Sequence, residues 1–432
     1  MIRSGEAPAR ATILSLLLLA LILRLAWALT RPSDPAALAQ LPDQVEYLAA
    51  ARSLLQGEGL SFIDPRFGDR VFAYRTPGYP LLIAASGGNA QVVRVVQCLL
   101  DTSTVLAAYL LARRWLPGRP AVVAAAMVAL NPFLIYFCGL LLTESLFTCM
   151  LGWGMFLLTS RGTVPWLVGG STLALSVLVR PGAIALPVLL GVLAALLNPP
   201  PASPYHHRKW PLPVGTTMLL LTLAALLPWA WRNHRVLNAW VWTSTNAGIT
   251  SYDGFNPDAT GASDQTFVQR MPQLKGMTEV ERNDYLAARA AAYARENPRR
   301  ALELAAVKVA RTWSPRPLSA EFSRPLYVLA AMAYAIPLFV LALLAVFGSR
   351  TLRPSAKLFL LAPAVYLTAA AATSVGSLRY RLPAEVPMAV LAAAGLAPAL
   401  AGLARRPRPA AQPVQPADDP TVAEPHLQSK FG

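Results

Sequence analysis

Apolar runs of about twenty residues recur along the chain, broken by short polar corners and by two long polar connections. A helix needs about 20 mostly apolar residues to cross the hydrocarbon layer. By that measure the pattern predicts spans near residues 11–30, 90–112, 119–138, 141–160, 163–179, 181–198, 212–231, 325–348, 356–374 and 382–404, about ten in all. The fold class expected is an all-α polytopic membrane protein. Arg24 within the first run, and the lack of a clean small-residue cleavage site after it, predict that this segment is kept and is not a signal peptide. No internal repeat of fixed period is visible.

Positive charge sets the predicted orientation. With residues 1–10 cytoplasmic, the inside loops hold Arg3 and Arg10; Arg113, Arg114 and Arg119; Arg161; Arg208 and Lys209; Arg350, Arg353 and Lys357; and Arg405, Arg406 and Arg408. This bias toward the inside recurs in loop after loop. The outer side then receives the two long connections, 31–89 and 232–322, and short corners near 139, 180 and 378. The arginines of 232–322 do not contradict this, because long segments cross whatever their charge. Helical patterns are visible in that segment near 279–296 and 298–313. The stretch 405–432, rich in Pro, Ala and Gln, is expected to be a disordered cytoplasmic tail.

Composition supports the membrane reading and narrows the chemistry. Only 14% of the residues are charged, against about 25% in soluble domains, and the mean hydropathy is +0.44. The net charge of +16 comes with no nucleic-acid-binding signature, so no nucleic-acid partner is expected. Cys98, Cys138 and Cys149 lie in apolar stretches without CxxC spacing and read as small core residues. The four histidines form no ligand pattern, and there is no phosphate-binding P-loop. No cofactor and no required metal are expected.

The unusual polar residues collect on the predicted outer side. Asp43, Glu46, Tyr47 and Ala50 recur at helical spacing and share a face. The first loop adds Arg75-Thr76-Pro77-Gly78-Tyr79-Pro80, a corner adds Arg180-Pro181, the seventh run ends in Pro228-Trp229-Ala230-Trp231-Arg232-Asn233, and the last begins after Arg379-Tyr380-Arg381. Glu144 lies about one turn below that surface, and an ionisable group inside a span is a functional candidate by default. Plainer roles stay open here: Asp43-x-x-Glu46 has the form of a capping box, the arginines suit interfacial anchoring, and Glu144 suits a structural ion pair. In the second run Arg94, Gln97 and Asp101 share one helical face; Asp101 reads as a packing or hydrogen-bonding residue, and Arg24 as either cavity-lining or snorkelling.

Guanidinium forks match phosphate oxygens, a carboxylate beside them is suited to take a proton from a hydroxyl, and Tyr74, Tyr79, Trp229 and Trp231 suit an interface or a sugar face. The set implies group transfer from a lipid phosphate to a hydroxyl on the outer side.

Six short motifs in order resemble a known group. They are Asp43-x-x-x-Tyr47 followed by Gly57-x-Gly59; Arg75-x-Pro77-x-Tyr79-Pro80; Leu142-Thr143-Glu144; Val179-Arg180-Pro181; Pro228-Trp229-x-x-Arg232-Asn233; and Arg379-Tyr380-Arg381-Leu382-Pro383. This pattern, with Asn256-Pro257-Asp258, resembles bacterial integral-membrane glycosyltransferases of the GT-C fold. It is most similar to the family-39-like branch typified by rhizobial lipopolysaccharide glycosyltransferases, with aminoarabinose lipid A transferases and protein O-mannosyltransferases as more distant relatives. The resemblance covers about residues 10–400 and implies one transferase domain over 11–404.

The resemblance implies a base at Asp43, with Glu46 as a supporting carboxylate. It implies that Arg75, Arg379, Arg381 and Arg180 hold the donor phosphate, and that Tyr47, Tyr79, Glu144, Arg232 and Asn233 line the substrate site. Gln44 stands where many relatives carry a second acid, which argues against a metal in the first loop. The implied donor is a polyprenyl-phosphate-linked sugar. The implied acceptor is a glycan, lipid or protein hydroxyl at the periplasmic face of the inner membrane. A lipid-linked sugar flippase and an O-antigen polymerase or ligase are the alternatives. A flippase is disfavoured because the polar sites cluster on one face and no inverted halves match.

Overall fold

The computed structural model describes residues 6–197, 213–318 and 324–404. The tail 405–432 and the basic residues Arg3, Arg208 and Lys209 lie outside the described residues.

Helix α1 (Glu6–Ala28) leads into two short helices, α2 (Pro35–Ala39) and α3 (Pro42–Leu55). A two-stranded antiparallel ribbon follows, β1 (Phe62–Ile63) on β2 (Arg70–Val71), with Phe62 opposite Val71. Then come α4 (Gly78–Ala85), α5 (Ala90–Ala112), α6 (Gly118–Ala129), α7 (Pro132–Phe137), α8 (Glu144–Leu158), α9 (Thr163–Ser176), α10 (Leu186–Leu197) and α11 (Val214–Leu237). The second long connection holds α12 (Ala247–Gly254), α13 (Glu279–Glu296) and α14 (Pro298–Thr312), and the chain returns through α15 (Pro325–Gly348), α16 (Pro354–Ala372) and α17 (Leu382–Ala404).

Among the described residues, six helices are long and apolar enough to cross a membrane: α1, α5, α11, α15, α16 and α17. The other predicted spans are helical but short. Asn131 caps a new helix at Pro132 by accepting from the amides of Phe133 and Leu134, so the apolar run near 119–138 divides into α6 and α7. Pro181 opens a 3-10 turn before α10, without a side-chain cap. Helices α6, α8 and α10 have 12, 15 and 12 residues, roughly 18–23 Å at 1.5 Å per residue, against about 30 Å of hydrocarbon. Apolar content thus located these elements, while proline and asparagine punctuation set their lengths.

Helix α17 is the hub. It packs on α15, α6, α16, α8 and α5, and Leu382 to Ala394 are all buried. Its alanines allow close approach on every side, whereas α15 leaves Leu326, Leu329, Leu343, Leu344 and Phe347 exposed.

Deep in the bundle Arg24 meets Asp101 at 2.7 Å, both fully buried. The remaining Arg24 donors reach the carbonyls of Ala20, Ala129 and Val128. Helices α1, α5 and α6 are thereby tied together, and Arg24 neither lines an open cavity nor snorkels. Gln97 on α5 takes Tyr79 Oη at 2.6 Å and donates to the carbonyls of Cys138 and Leu140. Arg94 donates to the carbonyls of Arg31, Pro32 and Gly139. The polar stripe of α5 therefore organises the mouth of the bundle.

Candidate active site

Helix α3 begins at Pro42, where a missing N–H costs nothing, and its N-cap Leu41 makes no side-chain cap bond. The capping-box alternative for Asp43 and Glu46 thus fails, since both carboxylates point at arginines. Asp43 Oδ1 accepts from Arg75 Nη2 at 2.5 Å, and Oδ2 from Arg379 Nη1 at 3.1 Å. Glu46 Oε2 accepts from Arg75 Nε at 2.7 Å, and its other oxygen lies 3.7 Å from Arg66 Nη2. Arg66 also forms a two-pronged pair with Asp64.

The ladder continues downward. Glu144, the first residue of α8, is fully buried; its Oε1 takes Arg379 Nε at 2.5 Å and Arg180 Nη2 at 2.7 Å. Arg180 Nε donates to Thr143 Oγ1 at 3.0 Å. The sequence leaves Glu144 open between a structural ion pair and a place in the substrate site. Its partners are Arg180 and Arg379. Segments as far apart in the chain as Asp43 and Arg379, 336 positions, thus contribute one row of alternating charges, in the order Asp64, Arg66, Glu46, Arg75, Asp43, Arg379, Glu144, Arg180.

The backbone under Arg75 is firmly fixed. Gly78 donates its N–H to the Leu178 carbonyl at 2.9 Å, and a Cβ there would sit 2.7 Å from that oxygen. Only glycine lets the Arg75 loop come this close to the strand of chain that carries Arg180. Above it, Glu279 of α13 accepts from the N–H groups of Phe72 and Ala73, and Thr245 donates its N–H to the Ala73 carbonyl at 2.9 Å. Arg282 pairs with Asp69 and stands 3.9 Å over the Phe67 ring. The second long connection is therefore clamped onto the first loop.

Several predicted site residues serve this scaffold and do not face Asp43. Arg232 donates to the carbonyls of Phe72 at 2.7 Å and Leu60 at 2.6 Å, stapling the first loop to α11, while Asn233 donates to that of Val241 at 2.9 Å and ties down the chain just after α11. Tyr79 is fully buried and edge-on to Tyr47, centroids 5.0 Å apart. Tyr47 in turn lies under Arg75, whose guanidinium carbon is 5.0 Å from its ring centre. The two tyrosines back the cluster from behind.

Arg381 departs most from its sequence reading. It is fully buried, pairs with Glu385 at 2.7 Å, and donates to the carbonyls of Thr312 at 2.9 Å and Ser314 at 2.5 Å. Glu385 also accepts from Asn131 at 2.7 Å. The start of α17 folds one arginine of the Arg379-Tyr380-Arg381 turn out to the cluster and the next one in, because residues two apart on a tight turn face opposite ways. Arg381 joins α14 to α17 and does not face Asp43. Arg66, Asp64 and Glu279 are not singled out by the sequence, and Thr143 enters there only as part of the Leu142-Thr143-Glu144 motif. The dense charge of Asp64-Pro65-Arg66-Phe67-Gly68-Asp69-Arg70 was the available signal for the first two.

Charge separation tunes the pair of carboxylates on α3. Burial raises the Asp43 carboxyl, but the guanidiniums of Arg75 and Arg379 outweigh it and hold it well below the usual carboxylate range. Burial pushes Glu46 up, only partly offset by Arg75 and Arg66. Asp43 is also the more accessible, with its side chain 31% exposed against 8% for Glu46. A substrate hydroxyl can reach Asp43, while Glu46 is confined to holding Arg75.

Comparison with known proteins agrees with this architecture. Residues 78–231 match the family described as dolichyl-phosphate-mannose-protein mannosyltransferase. No curated protein matches the chain significantly in sequence. Among solved structures, the archaeal oligosaccharyltransferase AglB of Archaeoglobus fulgidus, in complex with an inhibitory peptide and a dolichol-phosphate, aligns with a TM-score of 0.56 at 14% identity, over 92% of this chain and 51% of that one. The apo oligosaccharyltransferase of the same organism aligns with a TM-score of 0.51 at 15% identity, over 90% and 51%. ArnT from Cupriavidus metallidurans, bound to undecaprenyl phosphate, aligns with a TM-score of 0.36 at 15% identity, over 93% and 79%, and nothing below rests on it. The chain spans about half the length of the oligosaccharyltransferases it matches.

The protein is thus a multi-pass membrane protein with the GT-C glycosyltransferase fold. The matched segment 78–231 relates it to the protein mannosyltransferases.

Proposed function

We propose that the protein is a glycosyltransferase that moves one sugar, hexose or pentose, from a polyprenyl-phosphate carrier to a hydroxyl of an envelope glycan, lipopolysaccharide or protein. The reading places the reaction on the periplasmic side of a bacterial inner membrane. One observation carries it: a solvent-reachable carboxylate, Asp43, held between two arginines at a membrane mouth. The family match of residues 78–231 and the dolichol-phosphate bound to AglB support the same donor class.

In this mechanism Asp43 takes the proton from the acceptor hydroxyl as its oxygen forms a bond to the anomeric carbon. The bond from that carbon to the phosphate oxygen breaks, and the electron pair leaves with the polyprenyl phosphate. Arg379, Arg180 and Arg75 stabilise the charge growing on that phosphate, where fixed cations act most strongly. Attack opposite the departing phosphate inverts the anomeric centre, as expected for a single displacement with one base. Purified protein incubated with a radiolabelled polyprenyl-phosphate sugar and envelope extract should transfer label to the extract. No transfer from any polyprenyl-phosphate hexose or pentose would overturn the reading. Glycan mass spectrometry of cells with and without the protein would then name the sugar.

A further inference from the structure

Asp43 commits both of its oxygens to arginines, and the two bonds differ. Arg75 at 2.5 Å is also held by Glu46 and flanked by the rings of Tyr47 and Tyr74. Arg379 is farther, at 3.1 Å, and its side chain is 30% exposed. Its Nε is meanwhile pinned by Glu144 at 2.5 Å. Arg379 can therefore change the partner of its Nη edge while its Nε stays in place. Glu144 does this for two arginines with one oxygen, since Oε1 also takes Arg180 Nη2. Its Oε2 is buried and without a hydrogen-bond partner.

The formal charges along the ladder cancel. Arg66, Arg75, Arg180 and Arg379 face Asp43, Glu46, Asp64 and Glu144. An incoming phosphodiester finds no spare cation and has to take one from a carboxylate. The longer, more exposed Arg379–Asp43 bond is the weakest rung.

We propose that Glu144 is a positioning residue that pins Arg379 beside Arg180, so that the donor phosphate takes the Arg379 Nη edge away from Asp43 and donor binding itself frees the base. This rests on the transferase reading above and adds an order to it: the acceptor hydroxyl is activated only after the donor is seated. Asp43 Oδ1 stays on Arg75, and Oδ2 becomes the proton acceptor. The charged and titratable groups around Asp43 are Arg75, Arg379 and Tyr380 from facing segments and Glu46 and Tyr47 from its own helix. Once the phosphate has engaged Arg379, this set has lost a cation and gained an anion, so the proton affinity of Asp43 rises.

The test is a binding titration of the purified full-length protein with a polyprenyl methyl phosphodiester, which carries one charge throughout the working pH range. If Asp43 competes with phosphate for Arg379, Asp43→Asn should tighten diester binding by at least about fivefold, the lower end of ordinary coupling between sites. Wild-type affinity should also rise as the pH is lowered toward about 4, the ordinary aspartate range, and this slope should vanish in Asp43→Asn. Glu144→Gln should weaken binding about tenfold or more, with part of the loss recovered in Glu144→Asp, which keeps the charge. Equal or weaker binding by Asp43→Asn, together with a pH-independent wild type, overturns the proposal even where sugar transfer is demonstrated. Failure of the wild type to bind the diester at all overturns the transferase reading along with it.

Discussion

Arg379 and Glu144 lie 235 positions apart and meet at 2.5 Å, joining the turn before the central helix to the first residue of α8. The contact places a guanidinium within reach of Asp43 on a third segment. It also gives the two arginines of the last turn separate tasks. Arg379→Ala should weaken donor-phosphate affinity and slow transfer while leaving the melting temperature within a few degrees. Unchanged donor affinity in a titration would refute its phosphate role.

Arg381→Ala should behave in the opposite way. Removing it leaves Glu385 buried with one partner fewer and releases the Thr312 and Ser314 carbonyls, a loss on the order of 3–5 kcal/mol for a broken buried pair. The expected outcome is a large fall in melting temperature, with the protein that remains folded binding donor normally. Wild-type stability with lost donor binding would restore the role first expected from the sequence.

Asp43→Asn keeps the shape of the side chain and removes its basicity. Turnover should fall by roughly 10²–10⁴-fold, the usual worth of general-base assistance, with the protein still folded. Near-normal turnover would remove Asp43 from the mechanism.

Asp101→Asn should destabilise the bundle far from the chemistry. Arg24 would keep its charge, its burial and three carbonyl partners, but lose the anion at 2.7 Å. About 3–5 kcal/mol is expected for stranding one member of such a pair. The double change Arg24→Met with Asp101→Leu should recover most of it, because the uncompensated charge is gone. A thermal melt of the three variants decides the matter.

Lys308 provides a pH test in the second long connection. Its ammonium lies 3.3 Å from the Phe255 ring centre, and burial lowers it to about 8, with Asp253 opposing the shift. The unfolded lysine holds its proton up to about 10.4. Between those values the unfolded state binds more protons, so stability should rise with pH from about 8 to about 10. Melting temperatures across that range should climb in the wild type and lose that slope in Lys308→Met. A flat wild-type curve would contradict the shift.

Much of the site was readable from the sequence because it lies in short, unusual words. Asp43, Arg75, Glu144, Arg180 and Arg379 are polar residues at places where an apolar bundle tolerates few. What sequence could not supply was direction. Arg379 and Arg381 read alike, yet one faces the cluster and one the core. Arg232 and Asn233 read as ligands, yet the carbonyls of Phe72, Leu60 and Val241 occupy them. Apolar runs found the helices reliably, but the breaks at Asn131-Pro132 and Arg180-Pro181 shortened several of them in ways that average hydropathy smooths over.

Gln44 places a constraint on redesign. Its amide nitrogen donates to the Leu38 carbonyl at 3.3 Å, and its oxygen accepts the Leu141 N–H at 2.9 Å. An acid in its place could do only the second of these. Anyone converting this pocket by Gln44→Glu would gain a ligand beside Asp43 but unfasten α2, and would bring a fifth negative charge to a row that now balances. Neutrality at position 44 works as a hinge pin, joining the helix of Asp43 to the corner from which Glu144 rises.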